Sequence, residues 1–594
     1  MKKLFLLLTV MLATSMSLLA QGTSWQTATL ISNGQTKTGT LDNNNTVAWY
    51  KITVTQEGHV DLVATSTGTL TLSTGSTVYG LKNDATYSRG TFTGATGTYS
   101  DVNISYHATD VGKGTYYIRI ARYGGAGSFT LKYTFTPCAL SNDPEPNNDY
   151  QSSSQLQSGA TVQGRLGHRT SDDVTDTEDW YKIVVPEEGH IEFRAISTEN
   201  LLLSTNGSVV YGFRNNATYS RGSFSGNGTY SDDTITYQAT NVGKGTYYVR
   251  ISRYGGSGGY WLYYKFTPCS LAADPEPNNN YENASLLESG ATVQGRLGHR
   301  TSDDVTDTED WYKIVVPEEG HIEFKATATE DLTLSTNGSV VYGFRNNATY
   351  SRGSFSGNGT YSDDTITYQA TNVGKGTYYV RISRYGGSGG YKLYYKFTPC
   401  QLAADPEPNN NFENAGWLPS GPTKQGRLGY RTSDDVTDTE DWYRFTVTKK
   451  GAIEFTVTGT EDLTLSTYGT AIYGLNDNGT TYWIANFSGT NTYSNVTLTY
   501  QANDVEKGTY YVKISRYGGS GGYRLTYTGP TLTGDVDGNG KVSISDVTDM
   551  IDRLLGSSNP SFAIDDADVD GDGKITIGDV TALIDILLSG NLFL

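Results

Sequence analysis

The sequence predicts a mainly β chain, four tandem antiparallel β-sandwich domains followed by a small helical C-terminal domain. Three observations carry that reading. Cys138, Cys269 and Cys400 each close the string Phe-Thr-Pro-Cys and stand 131 positions apart, so a long unit recurs. Inside the unit, apolar and polar residues alternate between Gly/Asn/Ser/Asp turns, the pattern of half-buried strands. In residues 529–594 the period changes to that of an amphipathic helix.

Residues 1–20 begin with Lys2 and Lys3, continue through the apolar run Leu4 to Leu12, and end at Ala20. This is the layout of a secretory signal peptide, so the mature chain is expected to be secreted, extracellular or at the cell surface. No later stretch approaches ~18 consecutive apolar residues, so no membrane span is expected. A net charge of −18 argues against nucleic acid or anionic lipid as a partner held by bulk electrostatics.

Four β-sandwich repeats follow, at 21–138, 139–269, 270–400 and 401–528. Each is long enough for its own core. Copies two and three are nearly identical, copy four has diverged, and copy one is the most distant. In copy two, Ile191, Phe193 and Ala195 share one face, as do Tyr247, Val249 and Ile251, and Tyr260, Leu262, Tyr264 and Phe266. About eight strands per copy are expected. One cysteine per copy is not a disulfide framework. It reads as a small buried residue at a domain junction, with intermolecular pairing as the alternative.

Copies two to four open with Asp-Pro-Glu-Pro-Asn-Asn, at Asp143–Asn148, Asp274–Asn279 and Asp405–Asn410. Each continues into Asp-Asp-Val-Thr-Asp-Thr-Glu-Asp-Trp-Tyr, at Asp172–Tyr181, Asp303–Tyr312 and Asp434–Tyr443, and later into Gly-Thr-Tyr-Tyr-Val. That order resembles the bacterial pre-peptidase C-terminal domain, a jelly-roll-like sandwich related to collagen-binding domains. The resemblance implies a calcium site in each copy. It would use Glu145, Asn147, Asn148, Asp176 and Asp179 in copy two, and Glu276, Asn278, Asn279, Asp307 and Asp310 in copy three. In copy four it would use Glu407, Asn409, Asn410, Asp438 and Asp441. Clustered acids that repel one another unless neutralised point the same way. The alternative is a solvated acidic turn behind a stiff Asp-Pro-Glu-Pro linker. Copy one has Asp42-Asn-Asn-Asn at the matching place and should not bind.

The linker and tail (529–594) hold two twelve-residue segments 33 positions apart. Asp535, Asp537, Asn539, Lys541, Ser543 and Asp546 stand at positions 1, 3, 5, 7, 9 and 12 of the first. Asp568, Asp570, Asp572, Lys574, Thr576 and Asp579 stand at the same positions of the second. With Gly540 or Gly573 at position 6, this is an EF-hand-type loop whose lysines would offer backbone carbonyls to Ca2+. Val547, Met550, Ile551, Leu554 and Leu555 then repeat as Val580, Leu583, Ile584, Leu587 and Leu588, an amphipathic helix after each loop. Neither loop has an entering helix. A duplicated loop–helix unit of this kind resembles the type I dockerin domain, which implies a cohesin-like partner. Loop positions 10 and 11, the cohesin-contacting pair in that family, are here Ile544-Ser545 and Ile577-Gly578. The alternative is a calcium-stabilised cap without a partner.

No His-Glu-x-x-His, Gly-x-Ser-x-Gly or phosphate-loop string occurs, and copy four lacks the histidines shared by copies two and three. The acidic stretches read as exposed turns, unsuited to a catalytic acid with a raised pKa. No enzyme is expected. Arg253-Tyr254, Arg384-Tyr385 and Arg516-Tyr517, each before Gly-Gly, are the candidate ligand surface, because aromatic rings stack on sugars or fibrous protein. The sequence therefore points to a non-catalytic calcium-binding protein whose repeats bind polysaccharide or matrix protein and whose tail docks it to a partner. A ligand-free spacer or surface-layer protein, and an accessory or unrecognised hydrolase acting on polysaccharide, are the alternatives.

Overall fold

Alternation along the chain is converted directly into two-layer packing. The computed structural model describes residues 21–96, 98–141, 143–530, 532–539, 541–557 and 562–589. The signal-peptide segment and Gly540 lie outside the described residues. The chain divides into two compact units, one reaching residue 269 and including 299–307, the other comprising 270–298 and residues from 308 onward.

In copy two, within the first unit, a seven-stranded sheet runs Ser154–Gln155, Glu178–Val185, Gly245–Gly255, Leu202–Ser204, Ser231–Asp232. Val209–Arg214 and Ala217–Ser223 extend it from Gly245–Gly255. The second sheet has four strands, in the order Thr161–Leu166, Gly258–Pro268, Gly189–Ser197, Thr234–Val242. The pairings are antiparallel except Ser154–Gln155 against Glu178–Val185, which is parallel. Tyr181, Ile183, Tyr247, Val249 and Ile251 from one sheet bury against Ile191, Phe193, Tyr260, Leu262 and Tyr264 from the other. Each such side chain contributes roughly 1.5–3 kcal/mol when fully buried.

Copies three and four repeat the seven-plus-four arrangement, and copy one pairs seven strands with five. The expectation of about eight strands per copy was too low. The excess consists of strands of two or three residues, such as Leu202–Ser204 and Ser231–Asp232, too short to show any alternation.

The Arg-Thr-Ser-Asp-Asp segment that precedes the acidic strand forms a seam with the preceding copy. In the first unit, Arg89 Nη1 donates to the carbonyls of Arg169 and Thr170 at 2.9 and 3.1 Å, and the Tyr116 hydroxyl donates to Arg169 O at 2.9 Å. In the second unit, Arg352 and Tyr378 hold Arg431 and Thr432 in the same way. Asp173 is drawn into this seam by pairing with Arg169, and Asp172 accepts from Thr170 Oγ1 at 2.6 Å.

Cys138, Cys269 and Cys400 are buried and form no disulfide among the described residues. The tail contains helices α1 (Ile544–Leu554) and α2 (Ile577–Ser589). Val547, Met550, Val580 and Leu583 bury against Val536, Phe562 and Ala567. A short 3-10 turn, Ile564–Asp566, leads into the second loop. The helical spacing overstated the buried stripe: Leu555, just past the end of α1, and Leu588, in the last turn of α2, are exposed. No helix among the described residues is long and apolar enough to cross a membrane.

Candidate metal centres

The tail loops are curled by their own side chains. In the first, Asp546 is wholly buried; its Oδ1 accepts from Asp537 N at 3.1 Å and its Oδ2 from Ser543 N at 2.8 Å. Ser543 in turn caps α1, completing a reciprocal capping box. Asp537 accepts from Asn539 N and Asn539 from Lys541 N, each at 3.0 Å. In the second loop Asp579 accepts from Val569, Asp570 and Thr576 N–H groups at 2.8, 3.2 and 2.7 Å. Asp568 accepts from Asp572 and Gly573, and Asp572 from Lys574. Gly573 sits at φ +80°, which a side chain would strain. Burial opposes the charge on both position-12 acids. It raises Asp546, whereas the backbone donors around Asp579 outweigh it and hold that carboxyl low. Carboxylate, amide, hydroxyl and backbone oxygens in one loop suit a hard cation that takes six to eight oxygens at about 2.3–2.6 Å.

A second kind of cluster lies in the sandwiches. In copy two, carboxylate oxygens of Asp143, Glu145 and Asp179 all lie within 4.8 Å of one another. Asn147 Nδ2 donates to Asp143 Oδ2 at 2.5 Å, its backbone N–H to Glu145 at 3.2 Å, and Asn148 Nδ2 to Asp176 at 2.9 Å. Beneath them Tyr181 donates to Asp143 at 3.2 Å and Tyr260 to Asp179 at 2.5 Å, with the two hydroxyls 2.6 Å apart. Asp143, Asn147 and Asp179 each keep one buried side-chain oxygen without a hydrogen-bond partner among the described residues. Each such orphan costs about 1–3 kcal/mol. Burial, followed by the neighbouring Glu145, pushes Asp176 up to about 8 and also raises Asp143; Asp179 is raised by burial and by Asp143. Converging orphaned oxygens with raised acids fit a divalent cation, and all of the predicted ligands in copy two meet here.

Copy four repeats the arrangement. Asp405, Glu407 and Asp441 come together, Asn410 donates to Asp438 at 3.2 Å, and Asn409 donates to Asp405. A cavity of about 170 Å³ lined by Asp405, Glu407, Asn410, Arg427 and Asp438 opens onto the cluster. In copy three Asp274, Glu276 and Asp310 converge, Asn278 donates to Asp274 at 2.5 Å, and Tyr391 donates to Asp310 at 2.6 Å. Asn279 and Asp307 hold the equivalent sequence positions. Sequence reasoning missed Asp143, Asp274 and Asp405, although each is the first residue of the motif that supplied the other ligands. It also placed these acids in exposed turns; that holds for Glu145, Glu276 and Glu407 but not for the acid on the strand. Asp179, Asp310 and Asp441 are fully buried, on the same strand face as the core tyrosine two residues on (Tyr181, Tyr312 and Tyr443).

Copy one has lost the network as a set. Ala48 stands for Asp179 and Phe129 for Tyr260, and the Tyr50 ring packs edge-on against Phe129 at 6.1 Å. Asp42 is occupied locally, accepting from Asn44 and Asn45 N–H groups at 2.8 and 2.7 Å.

Residues 533–588 match the family model for the type I dockerin domain. The tail is a type I dockerin domain. No curated protein matches the chain. Among solved structures, the pre-peptidase C-terminal domain of a collagenase from Bacillus anthracis is 16% identical, over 18% of this chain and 94% of its own, with a TM-score of 0.15. The PBSX exported protein XepA is 12% identical, over 44% of this chain and 90% of its own, with a TM-score of 0.14. At those scores the sandwich fold stands on its own strand order and core.

On the dockerin, the first residue of each helix points outward: Ile544 is 72% exposed and Ile577 69%. Their companions are tied down. Ser545 Oγ donates to Asp537 at 3.2 Å, and Gly578 lies so close to Asp570 that a Cβ would meet its Oδ2 at 2.9 Å. Elsewhere, Arg253, Arg384 and Arg516 each donate through Nε to a carbonyl in their own glycine turn (Gly256, Gly387, Gly519) at 2.5 Å. Tyr254, Tyr385 and Tyr517 project from those turns, exposed. The arginine braces the turn, and only the tyrosine is presented.

Proposed function

We propose that the chain is a secreted, non-catalytic calcium-binding protein whose dockerin attaches it to a cohesin-type receptor while its sandwiches present surfaces to extracellular polysaccharide or matrix protein. The observation that carries this reading is the dockerin itself, with exposed Ile544 and Ile577 at equivalent places after two calcium-type loops. Uncovered branched apolar residues at the loop–helix junctions favour a protein partner over solvent. The attachment belongs to a larger extracellular assembly for polysaccharide breakdown. The buried acids do not argue for catalysis, since Asp179 is fully buried and the Tyr260 hydroxyl takes its Oδ2.

For the ligand surface, copy two offers more than the turn tyrosines. Trp261 and Tyr263 flank an open cavity of about 550 Å³ with Thr161, Arg194 and Ile196 on the outer face of the four-stranded sheet. An indole and a phenol beside a guanidinium suit the apolar face and hydroxyls of a sugar. Copy three has Lys392 in place of Trp261, so this surface is not simply repeated.

The test is calorimetry of the full chain against a panel of cohesins in calcium and in chelator, alongside a glycan array probed with wild type and Trp261→Ala. Calcium-dependent cohesin binding supports attachment. No binding to any cohesin removes it, and no glycan or collagen bound over a broad array leaves the ligand-free spacer.

A further inference from the structure

Away from the calcium clusters, the first unit contains a second group of donors of different chemistry. Cys138 Sγ, a ring nitrogen of His168 and a carboxylate oxygen of Glu199 lie within 4.8 Å of one another. His168 is 3% exposed, and neither of its ring nitrogens has a hydrogen-bond partner among the described residues. An imidazole so buried is destabilising unless its nitrogens find a partner. Glu199 is held in place by Ala139 N–H, which donates to Oε1 at 3.0 Å, and it adopts a left-handed backbone, φ +60°. His59, from copy one, places Nε2 3.4 Å from Glu199 Oε2.

Copy four shows what the same place looks like when it is satisfied without an added ligand. Tyr430 replaces His168, and its hydroxyl donates to Glu461 Oε2 at 2.7 Å. Glu461 accepts from Gln401 N–H at 3.1 Å, as Glu199 accepts from Ala139, and His321 stands 3.3 Å from it, as His59 does from Glu199. The scaffold is therefore the same in both copies. Only the central side chain differs: a partnered hydroxyl beside Cys400 in one, an unpartnered imidazole beside Cys138 in the other.

We propose that Cys138, His168 and Glu199 bind Zn2+, with His59 as the fourth ligand, so that the ion ties copy one to copy two. Sulfur, imidazole nitrogen and carboxylate oxygen are the donors zinc takes in four-coordinate sites, at about 2.3, 2.0–2.1 and 2.0–2.2 Å. Tetrahedral ligands at those lengths stand roughly 3.3–3.8 Å apart, so small side-chain rotations bring the present group onto the ion. Binding releases the Cys138 proton, and the thiolate and Glu199 then neutralise the dication. The oxygen-only clusters suit calcium and lack a thiol, so the two kinds of site separate by chemistry.

The test uses the full chain carrying Cys269→Ser and Cys400→Ser, which leaves Cys138 as its single thiol. It is titrated anaerobically with Co2+ as a zinc surrogate, with calcium saturating. The expected result is a thiolate-to-cobalt charge-transfer band that saturates at one equivalent and is displaced by Zn2+. His168→Tyr, a side chain the fold already accommodates at 430, should weaken cobalt binding at least tenfold while the metal-free circular dichroism is unchanged. Glu199→Gln, which keeps the side-chain length, gives the second reading and should also weaken it. Absence of the band in a folded parent protein, or a band of equal affinity in both variants, overturns the proposal.

Discussion

The hydroxyl of Tyr260 donates to Oδ2 of Asp179 across 2.5 Å, and both side chains are completely buried. The same pair recurs as Tyr391–Asp310 and Tyr523–Asp441, each at 2.6 Å. In copy one both members are absent together, as Phe129 and Ala48. A buried carboxyl is tolerable only with a donor on one side and either a proton or a cation on the other.

Replacing that acid tests the ion directly. Asp179→Asn keeps a hydrogen-bonding side chain of the same size but removes the charge. Calorimetric titration of the full chain should show the calcium stoichiometry falling by one ion. Metal-free stability at pH 8 should stay equal or rise, because no buried carboxyl is then forced to ionise. An unchanged stoichiometry would remove copy two from the calcium-binding sites.

The pH dependence follows from raised carboxyl pKa values. Burial, then Glu145 or Glu407, lifts Asp176 and Asp438 from 3.8 to about 8. The folded state therefore holds protons that the unfolded chain has released above about pH 4. Their contribution is fully present below that pH and is lost as pH rises toward 8. In chelator, melting temperature should fall across this window. Saturating calcium should flatten the slope, because the ion takes the place of the protons; at a hundred times its Kd a ligand adds about 2.7 kcal/mol.

Asp535→Ala combined with Asp568→Ala removes the first ligand of both dockerin loops. The tail should then lack helical structure even in excess calcium, while the sandwiches melt as in wild type. Circular dichroism of the full chain, with proteolysis to locate the unfolded segment, checks both halves. A tail that still folds cooperatively would end the calcium-loop assignment.

Ile544→Asp and Ile577→Asp place charge on the exposed loop–helix junctions. For a cohesin that binds wild type, each should lower affinity at least tenfold, about 1.4 kcal/mol, without altering calcium affinity. Equal binding by both variants would move the contact elsewhere.

Arg89→Ala should weaken the seam between copies one and two. The Arg89 side chain is 2% exposed, and the carbonyls of Arg169, Thr170 and Asp110 accept from its guanidinium. A loss of about 1–3 kcal/mol is expected, read as a lower melting temperature and faster cleavage near residue 170.

Much of this molecule was legible without coordinates. The 131-residue recurrence separated four similar sandwiches, period-two alternation identified the inward faces at Ile191–Ala195 and Tyr247–Ile251, and the duplicated loop–helix spacing after Asp535 marked the dockerin tail. Those features are local, because a ligand set within twelve residues or a face set by strand pleat needs no distant partner.

What the linear order could not decide was which separate segments meet. Asp143 and Asp179 are 36 residues apart, and Tyr260 another 81, so their joint burial exists only once the two sheets close. The approach of His59 to Glu199, 140 positions later, belongs to the seam between copies. Desolvation and side-chain convergence depend on three-dimensional neighbours. For that reason the tertiary structure alone showed Asp143 and Asp179 buried together beside an exposed Glu145.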